Sequence, residues 1–157
     1  MITDLLQAEQ TLAADIEETL IEAGWSDGYG LTDDEIKKAP SPLFYHNATP
    51  QAAASSKAIV EGVARTIYLV YTVISPDTRY AGNKPHHINA TAALTIYYDD
   101  AYAFDSGSVH AKFLSALLAE LAEREYIVRT DPEGSMPAPT DKSPYIYRKI
   151  FYATKII

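Results

Sequence analysis

Apolar and more polar side chains alternate along residues 88–98, and this alternation constrains the fold more than any other feature of the chain. Successive side chains of a β-strand point to opposite faces, so a period of two predicts a strand with one buried face. Other elements must then cover the apolar side of the sheet. The buried face would carry Ile88, Ala90, Ala92, Leu94, Ile96 and Tyr98, and the other face Asn89, Thr91, Ala93, Thr95 and Tyr97.

Two amphipathic helices are predicted to provide that cover, at residues 3–23 and 106–125. Their apolar residues recur at spacings of three and four, which places them on one side of a helix. Gly24 can end the first helix, and Asp105 or Ser106 can cap the second. The first apolar stripe is Leu5, Leu6, Leu12, Ala13, Ile16, Leu20 and Ile21. The second is Val109, Phe113, Ala116, Leu117, Leu121 and Ala122, with Leu114 and Leu118 beside it.

Further strands are predicted where β-branched and aromatic residues cluster. Residues 66–74 are almost continuously apolar, which is typical of a strand covered on both faces. Residues 43–46 and 126–129 can form short strands, and residues 145–157 a closing strand.

Irregular segments separate these elements. Residues 25–65 form an insertion that contains one helical turn, begun by the capping box from Thr32 to Glu35. Residues 48–57 are small and polar and predict a mobile loop. Residues 75–87 contain two prolines and a glycine and predict a long polar loop.

The order of elements predicts an α+β fold. Consecutive strands joined by loops favour an antiparallel or mixed sheet of about four strands, with the two helices packed on one face. The whole chain, residues 1–157, has the length of a single domain.

The charge is unevenly distributed along the chain. The formal net charge is −8, yet residues 1–35 hold 10 of the 21 acidic residues and no Lys or Arg. Specific binding to nucleic acid needs clustered basic residues, so we do not expect it. The absence of cysteine excludes disulfides and thiolate metal sites. No apolar run approaches the ~20 residues that span a bilayer, and no basic N-terminal region marks a secretory signal.

No catalytic or phosphate-binding motif occurs in the sequence, which has no GxGxxG, P-loop or nucleophile elbow. We therefore expect a protein that is not an enzyme and that uses no cofactor or metal. A small ligand-binding domain built on His86, His87, Asp99 and Asp100, with His46 as a further metal ligand, is the alternative. Adjacent residues of a strand point to opposite faces, which disfavours joint binding of one ion by His86 and His87.

Residues expected at contacts between subunits come from several segments. The first helix offers an acidic side, and the Pro-rich segment 131–144 can extend as an arm toward a neighbour. Adjacent charges at residues 148 and 149 are typical of an edge strand. The candidates are Glu17, Glu18, Glu22, Arg79, Tyr80, Pro137, Pro139, Arg148 and Lys149.

The order of elements and several short phrases resemble the tail-terminator and tail-completion proteins of long-tailed bacteriophages. The resemblance covers residues 66–157, and the first helix more loosely. The insertion at 25–65 is longer than the family pattern. The phrases are Tyr68-Leu69-Val70-Tyr71, Thr95-Ile96-Tyr97-Tyr98, Glu125-Tyr126-Ile127-Val128-Arg129 and Tyr145-Ile146-Tyr147-Arg148-Lys149-Ile150-Phe151-Tyr152.

The resemblance implies a structural virion protein, made in the bacterial cytoplasm, that forms a homo-oligomeric ring. A hexamer is favoured, with tail-tube and neck or head-completion proteins as partners and with DNA passing through without specific binding. No membrane is involved. If the acidic helix lines the ring, its charge would repel the DNA. An adaptor or host-interaction protein that uses this helix is the other alternative.

Overall fold

The computed structural model describes residues 4–47, 58–82, 84–99, 107–130, 136–137 and 147–156, with the backbone alone at 75–81, 84–87 and 136–137. The helices are α1 (Leu5–Glu22), α2 (Asp33–Lys37) and α3 (Val109–Glu123). The strands are β1 (Ser26–Asp27), β2 (Leu43–His46), β3 (Ala58–Val60), β4 (Val63–Arg65), β5 (Ile67–Ala81), β6 (Lys84–Tyr98), β7 (Ile127–Thr130), β8 (Met136–Pro137) and β9 (Tyr147–Ile156).

One mixed sheet of seven strands forms the centre of the described chain, in the order β1-β2-β5-β6-β9-β7, and β8 also pairs with β9. β1, β2 and β5 run parallel, whereas β5, β6, β9 and β7 pair antiparallel. β3 and β4 form a separate two-stranded ribbon. The α+β class is therefore confirmed, but the main sheet has more strands than the predicted four.

The buried face of β6 is the predicted one. Ile88, Ala90, Ala92, Leu94, Ile96 and Tyr98 are fully buried. They face α1 and α3, which lie on the same side of the sheet and contact each other. α1 buries Ala8, Leu12, Ile16, Thr19 and Leu20 along one stripe against this layer.

The helix ends follow local hydrogen bonding. Asp4 caps α1 by accepting from the backbone N–H of Leu6. Thr32 caps α2 by accepting from the backbone N–H of Glu35, so the predicted turn forms at the capping box. α3 is capped by Ser108, which accepts from the N–H of Ala111 at 3.1 Å. The predicted caps of α3, Asp105 and Ser106, lie outside the described residues.

The predicted long loop at 75–87 is wrong, because β5 and β6 continue through it as a hairpin that turns at Gly82. Gly82 has φ +66°, a conformation that glycine adopts readily in tight turns. The register shifts between Ile74 and Asp77, where Pro76 lies, so the proline falls where the hydrogen-bond ladder is already broken. Pro85 sits one residue inside β6, near the strand start.

Three further predictions are corrected. β9 is not an edge strand, since it lies between β6 and β7, so Arg148 and Lys149 do not mark an edge. The buried stripe of α3 is His110, Leu114, Leu117 and Leu121, whereas Ala122 is exposed. The predicted cover on both faces of residues 66–74 extends only to Tyr71, because Thr72 and Ile74 are exposed.

Close packing near β1 requires a glycine. A Cβ atom at Gly28 would lie 2.4 Å from the ring of Tyr45, which real side chains do not tolerate. The backbone N–H of Gly28 donates to the carbonyl of Phe44 at 2.9 Å, so the chain is held against β2. Tyr45 is itself fully buried, and a larger residue at position 28 would displace it.

Candidate functional site

The face of the sheet turned away from α1 and α3 is partly uncovered, and we call it the open face. Leu69 of β5 lies opposite Ile96 of β6, and directly opposed residues point to the same side. The alternate residues of each strand therefore face the other way. They are Tyr68, Val70, Thr72 and Ile74 of β5, Asn89, Thr91, Ala93, Thr95 and Tyr97 of β6, Arg148, Ile150, Tyr152, Thr154 and Ile156 of β9, and Ile127 and Arg129 of β7.

Large apolar side chains are exposed on the open face. The exposed fractions are 43% for Ile74, 71% for Ile127 and 63% for Ile156. A shallow concavity of about 400 Å³ lies among them, lined in part by Ile74, Arg129 and Tyr152. Exposed apolar residues gathered on one surface of a protein commonly mark a contact with another macromolecule.

The described charged side chains of the open face are basic. Among its side chains that the structure describes, the charged ones are Arg129 and Arg148. Arg129 is exposed and has no ion pair with a described residue.

The outer side of α1 forms the second surface, on the opposite side of the molecule from the open face. The exposed fractions of Leu6 and Ile21 are 63% and 53%, although these residues were predicted to lie in the core. Carboxylates lie beside Ile21, with Glu18 68% exposed and Glu22 also exposed. This outer side of α1 is therefore apolar and acidic, whereas the open face is apolar and basic.

Asp15 of α1 contacts residues at the end of α3, at the start of β7 and in β9. Its carboxylate accepts hydrogen bonds from Arg124 at 2.8 Å, just beyond α3, and from the hydroxyl of Tyr126, just before β7. Lys155 of β9 places its Nζ 3.8 Å from the same carboxylate. Burial, followed by the hydrogen bond and the charge of Asp15, raises the pKa of Tyr126. We assign this group a structural role, because Arg124, Tyr126 and Lys155 all contact the carboxylate of Asp15.

Asp99 directly follows β6 and lies next to the residue that precedes β5. Its Oδ2 accepts from the backbone N–H of Thr66 at 3.1 Å, and its Oδ1 lies 3.9 Å from Nε2 of the buried His110. Among the described side chains, His110 is therefore a histidine that lies close to Asp99. Asp100 lies outside the described residues, as do the side chains of His86 and His87.

A cleft of about 440 Å³ opens between α1 and the parallel strands β1, β2 and β5. Its walls include two carboxylates, Glu17 of α1 and Asp27 of β1, and three rings, Tyr29, His46 and Tyr71. The rings of His46 and Tyr71 are stacked, with centroids 4.5 Å apart and planes 5° from parallel. Tyr29 donates its hydroxyl to the carbonyl of His46 at 2.6 Å.

The cleft was not predicted from the sequence, because its residues come from separate elements. Glu17 was predicted as part of an acidic interface, but it lines the cleft and is half-buried. His46 was considered as a metal ligand, and it lies in β2 against Tyr71. No group of three or more His, Asp or Glu in the described ranges can hold a metal ion.

The remaining interface candidates are dispersed over the fold. Arg79 and Tyr80 lie near the tip of the β5–β6 hairpin, where their backbone alone is described. Pro137 lies in β8 opposite Tyr147, and Pro139 is outside the described residues. Arg148 lies on the open face, whereas Lys149 lies on the helix side with its Nζ 5.9 Å from the ring of Phe151.

No protein-family model matches the chain, and no curated protein matches it either. In the described part of the chain, α1, α2 and α3 all lack the length or the apolarity that a membrane-crossing helix requires.

Proposed function

We propose that this chain is a structural protein of a long-tailed bacteriophage virion. Copies of it form a closed ring, with a hexamer favoured, that terminates or completes the tail tube and joins it to the head. DNA passes through the ring without specific binding. The proposal rests on the resemblance of residues 66–157 to tail-terminator and tail-completion proteins and on the surfaces of the folded chain.

The pair of opposite surfaces is the observation that supports the proposal most. A ring is built by heterologous contacts, in which one patch of a subunit meets a different patch of the next. The open face exposes Ile74, Ile127 and Ile156 together with Arg129. The outer side of α1 exposes Leu6 near its start, and Ile21 beside Glu18 near its end. Both surfaces expose apolar side chains, and their charges are opposite in sign. One surface can therefore pack against the other in a neighbouring subunit.

Native mass spectrometry over a wide range of protein concentrations tests the proposal. We expect a discrete closed species, of about 104 kDa for a hexamer of the 17.3 kDa chain. A ring can also require the tail tube as a template, so the same experiment is repeated with purified tail tubes. A chain that stays monomeric in both conditions and does not sediment with the tubes would contradict the proposal.

An adaptor that contacts a different protein is the second candidate, favoured by the exposed Leu6 and Ile21 of α1. Deleting the helix is not a usable test, because Leu12, Ile16 and Leu20 are buried in the core. The Leu6→Asp and Ile21→Asp variants change only the outer side. Loss of binding to another protein without a change in self-association would favour the adaptor.

A further inference from the structure

We propose that the cleft between α1 and β1, β2 and β5 binds an organic cation that ends in an ammonium or guanidinium group. Glu17 and Asp27 supply the opposing charges, Tyr71 supplies a hydrogen-bond acceptor, and the rings of Tyr29 and His46 supply the walls. None of these residues lies on the open face, so binding at the cleft can be measured separately from ring formation.

The carboxylates of the cleft lack a positive partner. Neither Glu17 nor Asp27 forms an ion pair with a described residue, and the described lining contains neither Lys nor Arg. Burial raises the pKa of Tyr71 to about 12, and the charges of Glu17 and Asp27 add to that rise. The contribution of these two carboxylates to the pKa of Tyr71 indicates a negative potential at its hydroxyl. A negative potential attracts a cation.

The hydroxyl of Tyr71 is the second observation. The Tyr71 side chain is only 3% exposed and lines the cleft, yet its hydroxyl makes no hydrogen bond with a described residue. The hydroxyl oxygen itself is not enclosed, so it can accept a hydrogen bond from a donor that enters the cleft. An ammonium or guanidinium N–H is such a donor.

The aromatic lining favours an organic cation over a metal ion. Cations bind over the faces of aromatic rings, and Tyr29 presents a half-exposed ring at the mouth of the cleft. The described side chains offer no set of three metal ligands. Two sources share this chemistry, a free small amine and a Lys or Arg side chain of another subunit.

Calorimetric titration with n-butylammonium and with butylguanidinium chloride tests the site. Sodium chloride at equal ionic strength is the salt control. We expect saturable binding that weakens about tenfold in the Glu17→Gln, Asp27→Asn double variant, as the loss of two partly exposed ion pairs predicts. Glu9→Gln, at an exposed acidic position of the same helix, should bind as the natural chain does.

The Tyr71→Phe variant separates the hydrogen bond from the fold. It keeps the buried ring and removes only an unpaired hydroxyl, so we expect a stable protein with severalfold weaker binding of both probes. Unchanged affinity in both the double variant and Tyr71→Phe, or binding no stronger than that of sodium, would overturn the proposal.

The probe also identifies the source of the cation. If the probe dissociates oligomers of the chain, the cleft holds a basic side chain of a second copy. If it binds without changing the oligomeric state, the cleft takes a free amine. A failure to form rings would leave both binding measurements intact, so the two proposals fail separately.

Discussion

The Nη1 atom of Arg124 lies 2.8 Å from Oδ1 of Asp15, and this ion pair joins α1 to the end of α3 across 109 positions of sequence. Asp15→Asn keeps the shape of the side chain and removes its charge. Charge-assisted hydrogen bonds between partly buried groups contribute about 1–2 kcal/mol each after allowance for solvent. We expect the free energy of unfolding to fall by about that amount in urea denaturation.

Glu18 provides the control for this prediction. Its carboxylate lies 3.7 Å from Arg124, but the side chain is 68% exposed, so water screens the pair. The Glu18→Gln variant should change the free energy of unfolding by less than about 0.5 kcal/mol. Equal losses of unfolding free energy in Asp15→Asn and Glu18→Gln would contradict a specific stabilising role for the Asp15–Arg124 pair.

Tyr45→Phe should leave the protein equally stable or more stable. Tyr45 is fully buried, and its hydroxyl has no hydrogen-bond partner among the described residues. Removing an unpaired buried hydroxyl relieves a desolvation cost, with a gain of up to about 1 kcal/mol. Tyr126→Phe is the matched variant, and it should lose about 1 kcal/mol because the Tyr126 hydroxyl donates to Asp15. Thermal unfolding of both variants measures the difference.

The protein should lose stability at alkaline pH. Burial raises the pKa of Tyr45 and of Tyr71 to about 12, from an ordinary value of 10.0. Burial also raises the pKa of Tyr68. The folded state thus holds these phenols protonated. Their contribution to stability is complete below pH 10 and is lost as the pH rises toward 12. Denaturation curves across this range, with phenolate absorbance, check the prediction, and a flat stability profile would contradict it.

Ile127→Asp should weaken self-association through the open face. Ile127 is 71% exposed, so the substitution costs little in the folded subunit, but it places a charge in an apolar contact. We expect at least about a tenfold rise in the dissociation constant, measured by sedimentation. Val63→Asp, at a 49% exposed position of the β3–β4 ribbon, should have no effect. Equal effects of the two substitutions would exclude a specific role for the open face.

Reversing the charge of the acidic helix tests whether it lines the ring. Replacement of Glu17, Glu18 and Glu22 by Lys would attract passing DNA instead of repelling it, and DNA ejection should slow. Glu18→Lys with Glu22→Lys leaves the cleft unchanged, since only Glu17 lines it. Infectivity that is unaffected by both sets of substitutions would place α1 away from the channel.

The elements with a strong local pattern were predictable from the sequence. The alternation along residues 88–98 correctly assigned both faces of β6, and the capping box at Thr32 correctly placed α2. The hairpin at 75–87 was missed because Pro76, Gly82 and Pro85 are typical of loops. In the folded chain, they occupy a bulge, a turn and a strand start.

The candidate site could not be predicted, because it depends on long-range pairing. Asp27, His46 and Tyr71 become neighbours only when β1 and β2 add in parallel to β5. β1 and β2 are two and four residues long, and strands this short carry too little pattern to specify a partner. Glu17 reaches the cleft through the packing of α1, which the apolar stripe predicts only in outline.

The central position of β9 sets the order in which the sheet can be completed. β6 and β7 are not neighbours, and β9 lies between them although it follows both in the sequence. Until residues 147–156 emerge, β7 has no strand to pair with, and one long edge of β6 stays open. One edge of β6 is therefore unsatisfied until β9 is in place, and self-association before that moment would join subunits by the wrong strands.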